Sequence, residues 1–326
     1  MRLITTSAGS YPRIGDAPDL QLLRRTISQC EKGEKSAQDL ARAEDGMARL
    51  AIAEQIDAGL ELVTDGQVRW YDPLSHVAGK LEGIKINGLL RFFDTNFYFR
   101  QPVVIGEVKH MRPIVLDEYR FARSVSSKPL KPVMTGPYTL ARLSIVETDR
   151  YKTFESLVEA YALAVAEEVR ALVEAGADIV QIDEPAILKN KEDKDVFAAG
   201  LKLLTGAKGK AKLALYSYFG EAGWLYRALP DLPVEILGID FTYNRGLVQT
   251  IAREGSPKPL GLGLIDGRNT RLEDEKEICR ELDKLLPSIK SEFSYLNPSC
   301  GLEFLPRDRA FMKLKNLARI ASRYVS

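Results

Sequence analysis

An α/β fold, and within that class a single (β/α)8 TIM barrel over residues 1–326, is predicted by three features: eight short apolar runs, helical periodicity between them, and glycines at the joints. The runs fall near residues 3–7, 61–64, 131–135, 178–182, 212–217, 235–240, 260–264 and 293–297. Amphipathic stretches at 37–58, 154–175 and 273–286 lie between them, and a last helix is expected at 307–324. Gly59 and Gly176 precede the next strand, where a helix ends most easily on a residue that tolerates positive φ. A doubly wound open sheet would show the same alternation, but eight units in 326 residues favour the closed form. One segment breaks the rhythm. Residues 67–131 read as an insertion over the barrel mouth, with alternating, aromatic-rich stretches at 84–90 and 91–104 predicted to form a hairpin. No shift of composition marks a second domain.

Bulk properties narrow the function. A chain that is 45% hydrophobic and 28% charged is an ordinary soluble globular protein. Forty-six basic against 45 acidic side chains give a net charge of +1, which leaves neither the basic stripe of a nucleic-acid binder nor the polybasic face of a membrane-surface protein. No apolar run approaches the roughly 18 residues of a membrane span. The N-terminal residues read as a strand start without a signal-peptide core, so small-molecule ligands and a cytoplasmic location are expected. Cys30, Cys279 and Cys300 are odd in number and scattered, which does not make a disulfide framework. Cys30 and Cys279 sit in charged helical patterns; Cys300 lies in a turn after a strand, where it could react or bind metal.

In a barrel, chemistry stands on the loops after each strand. The fourth such junction, Ala177 to Pro185, is the sharpest: Ile179, Val180 and Ile182 suit a strand sealed on both faces, and Asp183 and Glu184 fall at its carboxyl end. Either carboxylate could instead cap a neighbouring segment or pair with a lysine of the 189–194 run. After the first strand, Gly9 and Ser10 offer backbone N–H groups and Arg13 a partner for a carboxylate or phosphate. Gln67 follows the second strand, Gly136-Pro137-Tyr138-Thr139 the third, Tyr218 the fifth, Asp240 the sixth, Asp266-Gly267-Arg268 the seventh and Cys300 the eighth. His76 and His110 read as packing or surface residues, since no second histidine or cysteine stands at ligand spacing. Neither a phosphate-binding loop nor a serine nucleophile elbow is present.

Read together, Gly9-Ser10-Tyr11-Pro12-Arg13, Thr135-Gly136-Pro137-Tyr138-Thr139, Gln181-Ile182-Asp183-Glu184-Pro185-Ala186 and Asn297-Pro298-Ser299-Cys300-Gly301-Leu302 resemble the cobalamin-independent methionine synthase family. That resemblance covers nearly the whole chain and implies transfer of a methyl group to the thiol of homocysteine, from a methylfolate or a methyl-carrying protein. It implies an amino-acid cradle of Ser10, Arg13, Gln67, Asp183 and Glu184, with Asp183, Tyr218 and Cys300 as catalytic residues. It also implies zinc, for which Cys300 and Asp240 align with two ligands while Leu215 and Ser217 stand where the family has histidine and cysteine. Leu143 occupies the position of a tryptophan near the folate ring. Phe92 to Tyr98, Ser217 to Gly220 and Gly263 to Asn269 look like the family's metal-free N-terminal barrel. The alternative reading is therefore a non-catalytic subunit of that type, docking on a separate zinc-containing catalytic barrel. A third is transfer or lysis of another small thiol or acid adduct.

Overall fold

The computed structural model describes residues 1–324. Its strands are β1 (Arg2–Thr5), β2 (Glu82–Arg91), β3 (Tyr98–Lys109), β4 (Val133–Thr135), β5 (Ile145–Val146), β6 (Ile179–Asp183), β7 (Lys212–Ser217), β8 (Ile236–Asp240), β9 (Leu260–Ile265) and β10 (Phe293–Pro298). Helices α1 (Leu22–Glu31), α2 (Ala37–Asp57), α3 (Pro73–Ala78), α4 (Leu116–Val125), α5 (Pro137–Arg142) and α6 (Phe154–Glu174) belong to the first half. The second half adds α7 (Lys194–Ala207), α8 (Gly223–Ala228), α9 (Leu247–Glu254), α10 (Glu275–Leu285) and α11 (Arg307–Ala321).

Seven strands pair in the parallel order β1-β10-β9-β8-β7-β6-β4. Two parallel bridges, Thr6 with Leu62 and Val63 with Leu130, join the free edges through the second predicted strand. The ring is thereby closed, as the eight-unit count predicts. At this seam the expected strand at 61–64 is reduced to isolated bridges, and at its end Gln55 of α2 stands in place of a partner strand. Its side chain takes over the backbone of Thr64, accepting from the Thr64 N–H at 3.0 Å and donating to the Thr64 carbonyl at 2.9 Å. One amide thus satisfies both the N–H and the C=O of Thr64, where the pairing ends.

Inward-facing residues fill the ring: Leu62, Ile179, Ala214, Tyr216, Ile236 and Tyr295 form one buried cluster. Tyr216 fits because its neighbours are glycines; a Cβ on Gly238 or Gly261 would run into its ring or hydroxyl. The period of two along β6 puts Gln181 and Asp183 on the same inner face as Ile179 and turns Val180 and Ile182 toward the helices.

Outside the barrel, β2 and β3 pair antiparallel from Glu82–Lys109 to Arg91–Tyr98, with β5 parallel to β3. Their turn lies at 92–97, later than the boundary at 90–91 that alternation suggests. Phe92 N–H donates to the Phe97 carbonyl at 2.8 Å, and the Thr95 hydroxyl donates back to the Phe92 carbonyl at 2.6 Å. Helices α3 and α4 fill out the rest of residues 67–131. The long helices begin where their caps stand: Ser36 with Asp39 at α2, and Thr153 with Ser156 at α6, each a reciprocal box. At the start of α11, buried Arg307 pairs with Glu54 of α2 at 2.9 Å and bonds the Pro12 carbonyl at 2.5 Å, and Tyr11 donates to the same Glu54 at 2.7 Å. Together they clamp the loop after β1. Among the described residues no helix is long and apolar enough to cross a membrane.

Candidate active site

A pocket of about 270 Å³ opens at the carboxyl ends of the strands. Ser10 and Arg13 reach it from the loop after β1, Gln67 from the seam, Asp183 from β6, Tyr218 from beyond β7 and Glu303 from beyond β10. Trp70, Tyr71, Phe92, Phe97, Phe219 and Phe304 supply its aromatic lining.

Backbone geometry brings the first loop to the floor. The Thr64 hydroxyl donates to the Gly9 carbonyl at 2.6 Å, Tyr11 N–H donates to the Gly66 carbonyl at 2.8 Å, and Gln67 takes up a left-handed φ of 51°. Such a φ is uncommon outside glycine and marks a place worth attention in a site. Ser10 is tied to the eighth strand's loop twice: its hydroxyl donates to Glu303, and its carbonyl accepts from Leu302 N–H at 2.9 Å. Glycine is required at 301, where a Cβ would collide with the Ser10 hydroxyl and the Glu303 carboxylate.

Asp183 is nearly buried, yet faces the pocket. Its Oδ1 accepts from Gln181 Nε2 at 2.7 Å and its Oδ2 from the Tyr218 hydroxyl at 3.2 Å. Burial pushes its carboxyl up to about 7, an effect partly offset by the Gln181 bond, the Lys131 charge and the Tyr218 bond. Glu303 is raised as well by burial, against the pull of the Ser10 hydroxyl. Arg13 is held by a 2.6 Å bond to the Trp70 carbonyl and lies 5.2 Å from the centre of the Tyr71 ring, over which Arg100 also stacks.

Three sequence-predicted site residues are placed elsewhere. Glu184, one step along the strand from Asp183, turns outward and lies outside the pocket. Its two oxygens accept from Tyr138 N–H at 3.0 Å and Thr139 N–H at 2.7 Å, capping α5, and burial raises it to about 7. Cys300 is fully buried with its sulfur 3.4 Å from the Gly301 carbonyl, and burial with the charges of Glu303 and Asp240 pushes its thiol up. A thiol held neutral in that setting is a poor nucleophile. Asp240 is also buried, its Oδ1 accepting from Thr242 N–H at 2.9 Å and the Thr242 hydroxyl at 2.6 Å.

Zinc is not matched by these residues. Asp240 Oδ2 is an unpartnered buried oxygen, but the facing positions of β7 supply no donors to join it and Cys300. Leu215 is apolar, and the Ser217 hydroxyl is spent on the Glu184 carbonyl at 2.7 Å. Among the described residues no group of three or more His, Cys, Asp or Glu side chains is arranged to hold a metal ion. The histidines are engaged with carboxylates: His76 with Glu118 at 2.7 Å, stacked on Trp70, and His110 with Glu168 at 2.7 Å.

Glu303 of the pocket and Lys131 beneath it lay outside the sequence-based set of site residues. Glu303 stands three residues past Cys300, within reach of a reading that had followed the loop further. Lys131, beneath Asp183, looks in sequence like an exposed strand start, yet it is 1% exposed.

A closed barrel with acidic, basic and hydroxyl groups converging on one small pocket at its strand ends is the architecture of a small-molecule barrel enzyme. This chain belongs to the cobalamin-independent methionine synthase family: residues 3–323 match the family described as cobalamin-independent synthase, catalytic domain. It is 35% identical over 320 residues to the methionine synthase of Sulfurisphaera tokodaii, covering 97% of this chain and 91% of that protein. To the methionine synthase of Saccharolobus solfataricus it is 33% identical over 319 residues, covering 97% and 92%. The structure of a B12-independent methionine synthase from a Shewanella species, in complex with selenomethionine, superposes with a TM-score of 0.81 at 22% identity, covering 99% of this chain and 98% of that one. The last comparison speaks to the fold.

Proposed function

We propose that the protein transfers a methyl group to the thiol of L-homocysteine, giving methionine. The observation that carries this reading is the convergence of Asp183 and Glu303 with Ser10 and Arg13 in one pocket, which suits a zwitterionic amino acid. Asp183, with two donors already on its oxygens, keeps lone pairs for the substrate ammonium; Arg13 and the backbone around Ser10 face the carboxylate. Gln67 adds a neutral polar contact on the same side. The substrate chain then runs along Phe92, Phe97, Phe219 and Phe304, where exclusion of water favours attack by sulfur. In the reaction the sulfur–methyl bond forms as the bond from the methyl carbon to its donor breaks, the electron pair of that bond stays on the donor, and the proton given up by the thiol ends on the demethylated donor. The donor is a methylfolate, as the family implies, or a methyl-carrying protein. Calorimetric titration with L-homocysteine, followed by detection of methionine with methyltetrahydrofolate supplied, tests the reading; absence of homocysteine binding overturns it.

A second reading keeps the cradle and moves the chemistry. Leu215 and the engaged Ser217 favour a substrate-holding barrel that works with a separate zinc-containing catalytic barrel. Homocysteine binding without methionine formation, with turnover appearing once a zinc-loaded family barrel is added, would favour it.

A further inference from the structure

Inside the ring, below the pocket, a single lysine sits among side chains that otherwise pack the barrel. Lys131 leads into β4, its backbone N–H donating to the Val63 carbonyl at 3.0 Å, and its side chain runs into the interior. The ammonium lies 4.7 Å from the centre of the Tyr216 ring. It donates to Gln181 Oε1 at 2.5 Å, the one acceptor within hydrogen-bond reach of Nζ among the described residues. Gln181 in turn uses its NH2 group for two acceptors, the Ala8 carbonyl at 2.6 Å and Asp183 Oδ1 at 2.7 Å.

That chain has a direction. Burial lowers Lys131 to about 7, against the opposing charge of Asp183; in its protonated form it has donors and no acceptor and tolerates only the oxygen end of the Gln181 amide. With the amide held that way round, its nitrogen must face Ala8 and Asp183, and one NH2 group then fixes the spacing between the loop bearing Ser10 and the carboxylate of β6. The amide turned over would set an oxygen against the carboxylate and leave the lysine unpartnered. Stability gives little reason for a cation at this depth, because replacing a buried charge by an apolar chain of similar length is often neutral or stabilising.

We propose that Lys131 is a positioning residue for the substrate's amino group, acting through Gln181 to hold Asp183 and the Ser10 loop at the separation that an α-amino acid spans. The inference rests on the assignment of Asp183 to the substrate ammonium. Lys131 touches no substrate atom; it sets the orientation of the amide that does the aligning. Its charge also favours the ionised form of Asp183 against the burial that opposes it.

The test is calorimetric titration of L-homocysteine, and of its des-amino analogue that keeps thiol and carboxylate, into wild type, Lys131→Met, Gln181→Leu and the double variant. Lys131→Met weakens L-homocysteine about tenfold, the scale of a lost charge-assisted hydrogen bond, and leaves the analogue within about twofold. In the Gln181→Leu background it adds no further loss, because the path is already cut. Equal weakening of both ligands, wild-type affinity in Lys131→Met, or additive losses in the double variant each overturn the proposal. Should Lys131→Met fail to fold, Gln181→Leu must show the amino-group-selective loss by itself. An Asp183→Asn variant separates the two levels. If it binds homocysteine normally, the ammonium assignment fails; if it is weakened while Lys131→Met and Gln181→Leu are not, this inference alone fails.

Discussion

The floor and the aromatic wall of the pocket are built on different principles. On the floor, Lys131, Gln181, Asp183 and Tyr218 form a continuous line of buried donors and acceptors, each fixed by the next. The wall is a set of aromatic rings meeting edge to face: Phe92 lies 6.2 Å from Phe219, Phe97 5.7 Å from Phe304, and Phe219 6.1 Å from Phe304. What anchors its outer rim is exposed chemistry. Asp94 accepts from the Tyr243 hydroxyl and lies 3.6 Å from Arg268, whose guanidinium stacks over Phe219. Polar groups locked in low dielectric cannot be truncated singly without leaving a partner unsatisfied, whereas rings in a wall can repack. On the proposed function, the floor is the place that would set recognition of the amino acid, and the wall the place that tolerates change.

Asp183→Asn should break the comparison most sharply. Loss of the anchoring charge is expected to weaken L-homocysteine about a hundredfold by calorimetry, in line with truncating one partner of a buried charged contact. The same variant should be more stable than wild type, and increasingly so with pH. The folded-state value of Asp183, about 7, lies above that of an unfolded carboxyl. Ionisation therefore removes stability as pH rises from about 4 to about 7, and the loss then levels off. Melting curves at pH 4.5 and pH 8 should show the gain of Asp183→Asn at the higher pH; a gain confined to the lower one would reverse the sign.

Glu184→Ala separates neighbours in the chain. Removal of the α5 cap should cost about 1–2 kcal/mol in chemical denaturation, with homocysteine affinity of the folded protein within about threefold of wild type. Phe304→Ala tests the wall: it should lower the melting temperature while altering homocysteine affinity less than Asp183→Asn does. Asp94→Asn is expected to shift stability by less than about 1 kcal/mol, because the group is half exposed. The smallest effect belongs to Cys300→Ser. Since its sulfur lies outside the pocket and lacks a donor set around it, homocysteine affinity and zinc content after dialysis should match wild type. Loss of stoichiometric zinc in that variant would restore the metal-ligand assignment.

Strand positions were readable wherever apolar residues on both faces made a dense run, as in β6, β8 and β9. At 61–64 the run was present but the pairing shrank to single bridges, and at Thr64 a glutamine on a neighbouring helix captures the backbone, which no local pattern encodes. Asp183 was legible as a carboxylate ending a strand. Glu184 shared that signal, although the two-residue period of a strand already sends adjacent side chains to opposite faces. Glu303 was missed because the loop was followed only as far as its cysteine. Lys131 was hidden for a different reason: a long polar side chain at the head of a strand is usually solvated, and its burial comes from closure of the whole ring.

That closure has a mechanical consequence. Six of the eight junctions are ladders of paired residues, while the two that flank the second predicted strand, Thr6 with Leu62 and Val63 with Leu130, are each held by a single bridge, with one glutamine on Thr64 beside them. A ring opens at its thinnest weld, so amide hydrogen exchange should reach Leu62 and Val63 through openings smaller than global unfolding while the amides of β7 and β8 stay protected. Lys131, on the strand side, and the loops carrying Ser10 and Gln67 flank that weld. The segment that brings two of the pocket's polar groups into line is thus also where the barrel breathes.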